Sequence, residues 1–305
     1  MTGTSRRGPA SAQDENLRAI GGRLTILSAD PREPQWAERV LGAAPWPPDE
    51  IYHLAAQTVV TRSWEHPIET AEGIALGTLR LLEAARRDAP HARILVASSS
   101  AMFGDPVETP QRESTPFRPL DPYGAAKAFA HTLTGQQRDM HGMYAVGAIL
   151  FNHESPRRGS DFVTRKITLA VARIAAGDGT PLTLGSLDAR RDWGFAGDYV
   201  EAMWRALQAA TPADYVIGTG LTHSVRDFCE RAFKVAALDY RPHVTVDERL
   251  IRRSDDRVQV ADATRARERL GWAPRTSFDQ LVTMMVEADL ARASRASAPA
   301  ARQDA

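Results

Sequence analysis

YGAAKAFAHTLTGQQRDMHGMYAVGAILFNH, residues 123–153, is the stretch on which the fold turns. Residues 123–142 contain no proline and end at Gly142, a residue that accepts the left-handed conformation in which helices stop. Tyr123 and Lys127 stand four apart and so share one face of that helix. Residues 144–153 are an almost unbroken apolar run, too continuous for a strand with one wet face. A helix feeding a strand buried on both sides is half of a parallel crossover unit.

Outward from there the same rhythm repeats. RILVASSS (93–100) reads as a strand ending in small polar residues, EIYHLAA (50–56) as a buried strand and RLTIL (23–27) as a short β-rich run. Helical spacing fills residues 34–44 and 70–89 between them. Alternation of this kind predicts an α/β chain, a reduced Rossmann-like parallel sheet flanked by helices, with a smaller α/β substrate domain. Past residue 153 amphipathic helices at 162–177 and 198–210 are separated by polar loops. The Rossmann-like domain is placed at 17–153 plus about 196–221, and a smaller, interleaved domain at 154–195 and 222–290. Residues 1–16 and 291–305 are rich in small and polar groups and read as disordered tails.

Composition removes several function classes. Of 305 residues 43% are hydrophobic, enough for one large core or two modest ones. Basic and acidic residues balance at 38 each, so no nucleic-acid or membrane partner is expected. Cys229 stands alone, in SVRDFCERAF, and reads as a small buried apolar residue rather than a reactive thiol. No run reaches the ~18 apolar residues of a membrane span. Residues 1–16 lack the apolar segment of a secretory signal, and a cytoplasmic location is expected.

From about residue 50 to 287 the chain resembles the extended short-chain dehydrogenase/reductases, most closely the GDP-mannose 4,6-dehydratases. The resemblance lies in EIYHLAAQ, GTLRLLEA, PYGAAKAFA, ILFNHESPRRG, FVTRKI, LDARRDWGFAGDYVEAMW, HSVRDF and RERLGWAPRTSFDQLV. A YxxxK pair alone is common; NHESPRRG together with RDWGFAGDYVEAMW is specific. The resemblance implies that Tyr123 is an acid/base on a sugar hydroxyl and that Lys127 supports it by charge. Ser99 would hydrogen-bond the sugar. Arg158, Lys166, Arg191 and Arg252 would grip the GDP moiety, with Asp161, Val163 and Asp255 in the same substrate site. Pairing through helices 70–88 and 123–141 implies a homodimer.

The departures shape the functional expectation. Only Gly21 and Gly22 precede RLTIL, where the resemblance calls for a glycine-rich phosphate loop. Residues 1–22 are polar and unpatterned, so the opening strand, helix and second strand are expected to be missing, and the basic residues that select NADP with them. RLTIL is then expected to move inward and pair with EIYHLAA. Ala101 stands where the resemblance implies the acidic residue that removes the C5 proton, Asp161 replaces an asparagine, and Phe195 replaces a histidine. A divalent cation, Mn or Mg, held by Asp161 and His153 would reconcile a carboxylate with a diphosphate. The expectation is a GDP-sugar isomerase: a NAD(P)-independent, metal-dependent pyranose–furanose mutase for an unusual or antibiotic sugar. Its catalytic set would be Tyr123, Lys127, Ser99 and His153. The alternatives are a GDP-mannose 4,6-dehydratase and a non-catalytic sugar-nucleotide binder.

Overall fold

The computed structural model describes residues 1–8, 17, 23–43, 46–251 and 255–297. They divide into two compact units, the first formed by Met1–Leu150, Glu201–Ile217 and Ala263–Trp272, the second by Phe151–Val200, Gly218–Asp262 and Ala273–Ala305.

The first unit opens with β1 (Thr2–Ser5), β2 (Thr25–Ser28), α1 (Trp36–Ala43) and β3 (Glu50–His53). Two short helices, α2 (Val60–Glu65) and α3 (Pro67–Ala71), lead through a π-helical turn at Glu72–Leu76 into α4 (Gly77–Asp88). β4 (Arg93–Ser99), α5 (Pro122–His141) and β5 (Ala145–Leu150) follow. The second unit contributes β6 (Asn152–Glu154), α6 (Val163–Ala175), β7 (Leu182–Leu184), β8 (Arg190–Arg191) and β9 (Trp193–Phe195). Helix α7 (Ala196–Gln208) passes from the second unit to the first, which also holds β10 (Tyr215–Ile217). β11 (His223–Ser224), α8 (Val225–Val235) and β12 (Val244–Val246) belong to the second unit, α9 (Thr264–Leu270) to the first and α10 (Phe278–Ser297) to the second.

In the first unit four parallel strands run in the order β10-β5-β4-β3. Every residue of β5 is buried, as its unbroken apolar run requires. Leu82 and Ala85 of α4 pack with Ile94 and Val96 of β4 and with Met143 and Ala145. α5 lies on β4 and β5 and ends at Gly142 with φ +64°, the left-handed cap its position predicts.

The start of the chain departs from expectation. Residues 2–5 form a strand, β1, parallel to β2 in the register Thr2–Thr25 to Ser5–Ser28. Met1 is tied to the same pair, its carbonyl accepting from the Thr25 amide at 3.0 Å. The RLTIL strand therefore finds its partner in the first residues, and β3 hydrogen-bonds to β4, so the predicted pairing of RLTIL with EIYHLAA does not form. The reason is that TGTS can satisfy backbone groups as well as an apolar strand can, since ladder bonds need no side chain. Residues 9–16, also expected to be a tail, lie outside the described residues. At the other end α10 continues to Ser297, through residues expected to fray.

The second unit packs α6, α8 and α10 together. Its core includes Ile167, Val171, Trp193, Phe228, Phe233 and Met285. Cys229 is fully buried in it, and burial pushes its thiol up to about 12. Among the described residues no helix is long and apolar enough to cross a membrane.

Candidate active site

The N-terminus of α5 is built to hold its second residue still. Asp121 caps the helix, its Oδ1 accepting from the Gly124 amide at 2.7 Å, and Pro122 occupies the first turn, where its missing N–H costs nothing. Tyr123 follows, 8% exposed. One turn on, Lys127 is 7% exposed, and its Nζ donates to the Ala97 carbonyl of β4 at 2.7 Å. That carbonyl is its one hydrogen-bond partner among the described residues, and no carboxylate faces it. Burial alone brings the ammonium down to about 8. Nζ lies 5.9 Å from the centre of the Tyr123 ring.

Ser99 ends β4, half-buried, and its Oγ accepts from the Ala101 amide at 3.2 Å, opening the short helical turn Ser100–Met102. This turn touches the start of α5 closely: a Cβ on Gly124 would come within 2.6 Å of the Ala101 carbonyl. Tyr123, Lys127 and Ser99 are thus gathered where α5 meets the carboxyl end of β4. Ala101 packs on Ile74, Tyr123 and Ala126, an apolar wall with no carboxylate at that position. His53, at the carboxyl end of β3, donates to Thr78 Oγ1 at 3.2 Å and stacks on Trp36 at 5.7 Å. Burial, with the Lys127 charge beside it, keeps it neutral down to about 3.

β1 runs straight into Arg6, Arg7 and Gly8. Both arginines are exposed, and Gly8 has φ +58° with a virtual Cβ only 3.1 Å from Ser28 Cβ, so a side chain there would be strained. The carboxyl end of a parallel strand thereby presents a basic pair. The sequence reading missed it because TGTS carries no apolar alternation; a strand of small residues directly followed by Arg-Arg-Gly was the available signal.

In the second unit the remaining candidates have different surroundings. Arg158 lies with its guanidinium 3.4 Å from the centre of the Phe162 ring and its Nε 3.1 Å from the buried Glu154 carboxylate. Arg191 Nη2 is 2.8 Å from Asp255 Oδ1, both largely buried, so these two form an ion pair. Lys166 and Asp161 are exposed, and Val163, the first residue of α6, packs against the core of the unit. Arg252 lies outside the described residues. His153 donates from Nδ1 to the Phe151 carbonyl at 2.9 Å, and its ring sits 5.1 Å from that of Tyr199.

A profile of the family described as GDP-mannose 4,6 dehydratase matches residues 4–285. The chain belongs to the GDP-mannose 4,6-dehydratase family. It is 49% identical over 252 residues to GDP-mannose 4,6 dehydratase 1 of Arabidopsis thaliana, covering 81% of this chain and 70% of the relative. Against the human GDP-mannose 4,6 dehydratase it is 44% identical over 262 residues, covering 80% and 70%. Among solved structures it resembles RMD from Pseudomonas aeruginosa, complexed with NADPH, with a TM-score of 0.81 and 25% identity over 95% of this chain and 99% of that one. The fold is the Rossmann-like α/β fold shared with these neighbours.

These findings overturn the expected chemistry. Relatives at this identity are dehydratases, and the neighbouring structure holds NADPH, so the isomerase assignment and the NAD(P)-independent, metal-dependent reading are withdrawn. The family match also begins at residue 4, so the second half of β1 and the basic pair after it fall inside the match rather than in a tail. The Mn or Mg site at Asp161 and His153 goes with the mutase: among the described residues no three His, Cys, Asp or Glu side chains are placed to hold a metal.

Proposed function

We propose that the chain is a nucleotide-sugar enzyme acting on GDP-mannose as a 4,6-dehydratase with NADP. The observation that carries this reading is the buried Lys127 ammonium beside Tyr123, in a chain 49% identical to a GDP-mannose 4,6 dehydratase. An ammonium 7% exposed, with donors left over and no carboxylate, fits the hydroxyls of a nicotinamide ribose. At the end of β1, Arg6 and Arg7 suit the 2′-phosphate that distinguishes NADP from NAD. The residues present therefore fit the cofactor at both of these positions. When bound, NADP would supply the hydride acceptor for the sugar carbon and later return the hydride.

The chain's own residues do the proton work. Tyr123 takes the proton of the sugar hydroxyl, and the Lys127 charge stabilises the phenolate as it forms. Ser99 donates to the same sugar oxygen and fixes its direction. In the second unit the exposed Lys166 offers positive charge to a diphosphate, whereas Arg158 is shared with Glu154 and Arg191 with Asp255. Ala101 brings no carboxylate to the elimination, so water would have to take the carbon-bound proton and protonate the departing hydroxyl, and this step is expected to limit turnover.

The test is to incubate the protein with GDP-mannose and NADP and weigh the product. A product lighter by one water is expected; a GDP-hexose of unchanged mass refutes the reading. Ala101→Glu is expected to speed water loss by at least tenfold, about 1.4 kcal/mol of barrier, and no gain in this variant would mean that another group removes the proton.

A further inference from the structure

Directly behind Lys127 lies a chain of polar groups that the proposed chemistry does not use. His131, one further turn along α5, is 7% exposed, and its Nδ1 is 2.8 Å from the Oγ of Ser98, itself 3% exposed. Its Nε2 faces Asp214 Oδ2 at 3.7 Å, too long for a hydrogen bond but close enough to favour the N–H on that side. Nδ1 is then the acceptor and Ser98 the donor. Asp214 is in turn fixed by Arg138, at 2.9 Å through both guanidinium nitrogens, and by the Gly147 amide at 2.9 Å. A serine, a histidine and an aspartate in line suggest a nucleophile, but the burial of Ser98 denies it a substrate.

What the line does control is a single peptide unit. Ser98 follows Ala97, whose carbonyl holds Lys127 Nζ. Two ties therefore join α5 to β4 one turn apart, Lys127 to the Ala97 oxygen and His131 to the Ser98 hydroxyl, and both act on the same peptide plane. The site makes room for this: a Cβ on Gly147 would lie 2.6 Å from His131 Nδ1 and 2.7 Å from Asp214 Oδ1. Phe117 closes the edge, its ring 5.2 Å from the imidazole.

We propose that His131 is a positioning residue: by accepting from Ser98 it orients the 97–98 peptide, and so sets where the Lys127 ammonium is held beside Tyr123. The inference rests on the reading of Tyr123 and Lys127 as the acid–base pair, but it can be tested without substrate. Around Lys127 the titratable groups are His53 on β3 and Tyr123 on its own helix; around His131 they are Asp214 and Arg138. His131 stays neutral because burial, reinforced by Arg138, outweighs the pull of Asp214.

Lys127, Lys166 and Lys234 are the only lysines in the sequence. Protein labelled with ¹³C,¹⁵N-lysine therefore gives three side-chain signals, and that of Lys127 is the one lost in Lys127→Arg. Its titration midpoint, about 8 in the native chain, is expected to rise by about one unit, a tenfold change, in His131→Ala and in Gly147→Ala. His131→Asn, whose amide can still accept from Ser98, is expected to restore the native midpoint. Ser98→Ala removes only a hydroxyl and serves if the larger changes prevent folding; it is expected to shift the midpoint in the same direction. An unmoved Lys127 midpoint in Ser98→Ala and His131→Ala, with only the thermal midpoint lowered, overturns the proposal and leaves His131 a packing residue. In a turnover assay the positioning role predicts a lower kcat at unchanged KM in His131→Ala, recovered by His131→Asn. Absence of any dehydratase activity in the native chain would instead defeat the functional reading and leave the lysine titration to be judged on its own.

Discussion

Lys127 is the residue at which stability and chemistry oppose each other. In the folded chain it gives up its proton near 8, against 10.5 for an ordinary lysine. Below pH 8 both states carry the proton and the folded state bears the whole cost of burying a charge, on the order of 3 kcal/mol at 1.36 kcal/mol per pH unit. Between 8 and 10.5 only the unfolded state still binds the proton, so stability rises with pH there. Lys127→Met is accordingly expected to raise the melting temperature at pH 7, by an amount that shrinks between pH 8 and 10.5, while abolishing turnover. A variant no more stable than the native chain at pH 7 would show that the ammonium is better solvated than its burial suggests. Tyr123 and Lys127 were legible in the sequence because four residues is a helical repeat. His131 was not: its partners Ser98 and Asp214 lie 33 and 83 positions away, and no local pattern marks a buried histidine as tied. The metal assigned to His153 and Asp161 followed from the mutase reading and falls with it; what spacing could not disclose is that the His153 Nδ1–H points to the Phe151 carbonyl.

At the scale of elements, α5 is the piece that fixes the site, and its ends were written plainly. Asp-Pro opens it and Gly142 closes it. Asp121→Ala is expected to lose about 1 kcal/mol of stability, read as a lower urea midpoint, and Asp121→Ser should recover most of it; equal stability in all three would mean the Gly124 amide finds another acceptor. β4 and β5 were equally legible, since strands buried on both faces leave continuous apolar runs; β3 forms where a strand was expected but is not buried on both faces, Tyr52 being exposed. β1 was not. Thr2, Gly3, Thr4 and Ser5 carry no large apolar side chain, and the strand pairs with β2 through backbone bonds. Missing it led to two mistaken steps at once: RLTIL was assigned the wrong neighbour, and Arg6 and Arg7 were assigned to a tail.

For the whole molecule the consequence is a dinucleotide reading where a cofactor-free one had been expected. A ligand that binds only the folded chain at a hundred times its Kd adds about 2.7 kcal/mol. NADP is expected to raise the melting temperature accordingly and more than NAD does, and Arg6→Ala with Arg7→Ala should abolish the difference between the two dinucleotides without lowering the effect of NAD. An unchanged preference in the double variant would place the phosphate-selecting charge elsewhere. The balance of 38 acidic and 38 basic residues hid these arginines, because composition averages over a surface and a phosphate samples only one end of one strand. The lone thiol offers a practical use. Cys229 is sealed in the core of the second unit and stays protonated to about 12, so at neutral pH maleimides and spin labels should pass it by. A cysteine introduced at any exposed position would then be the sole attachment point for a fluorophore, without first having to engineer away the native sulfur.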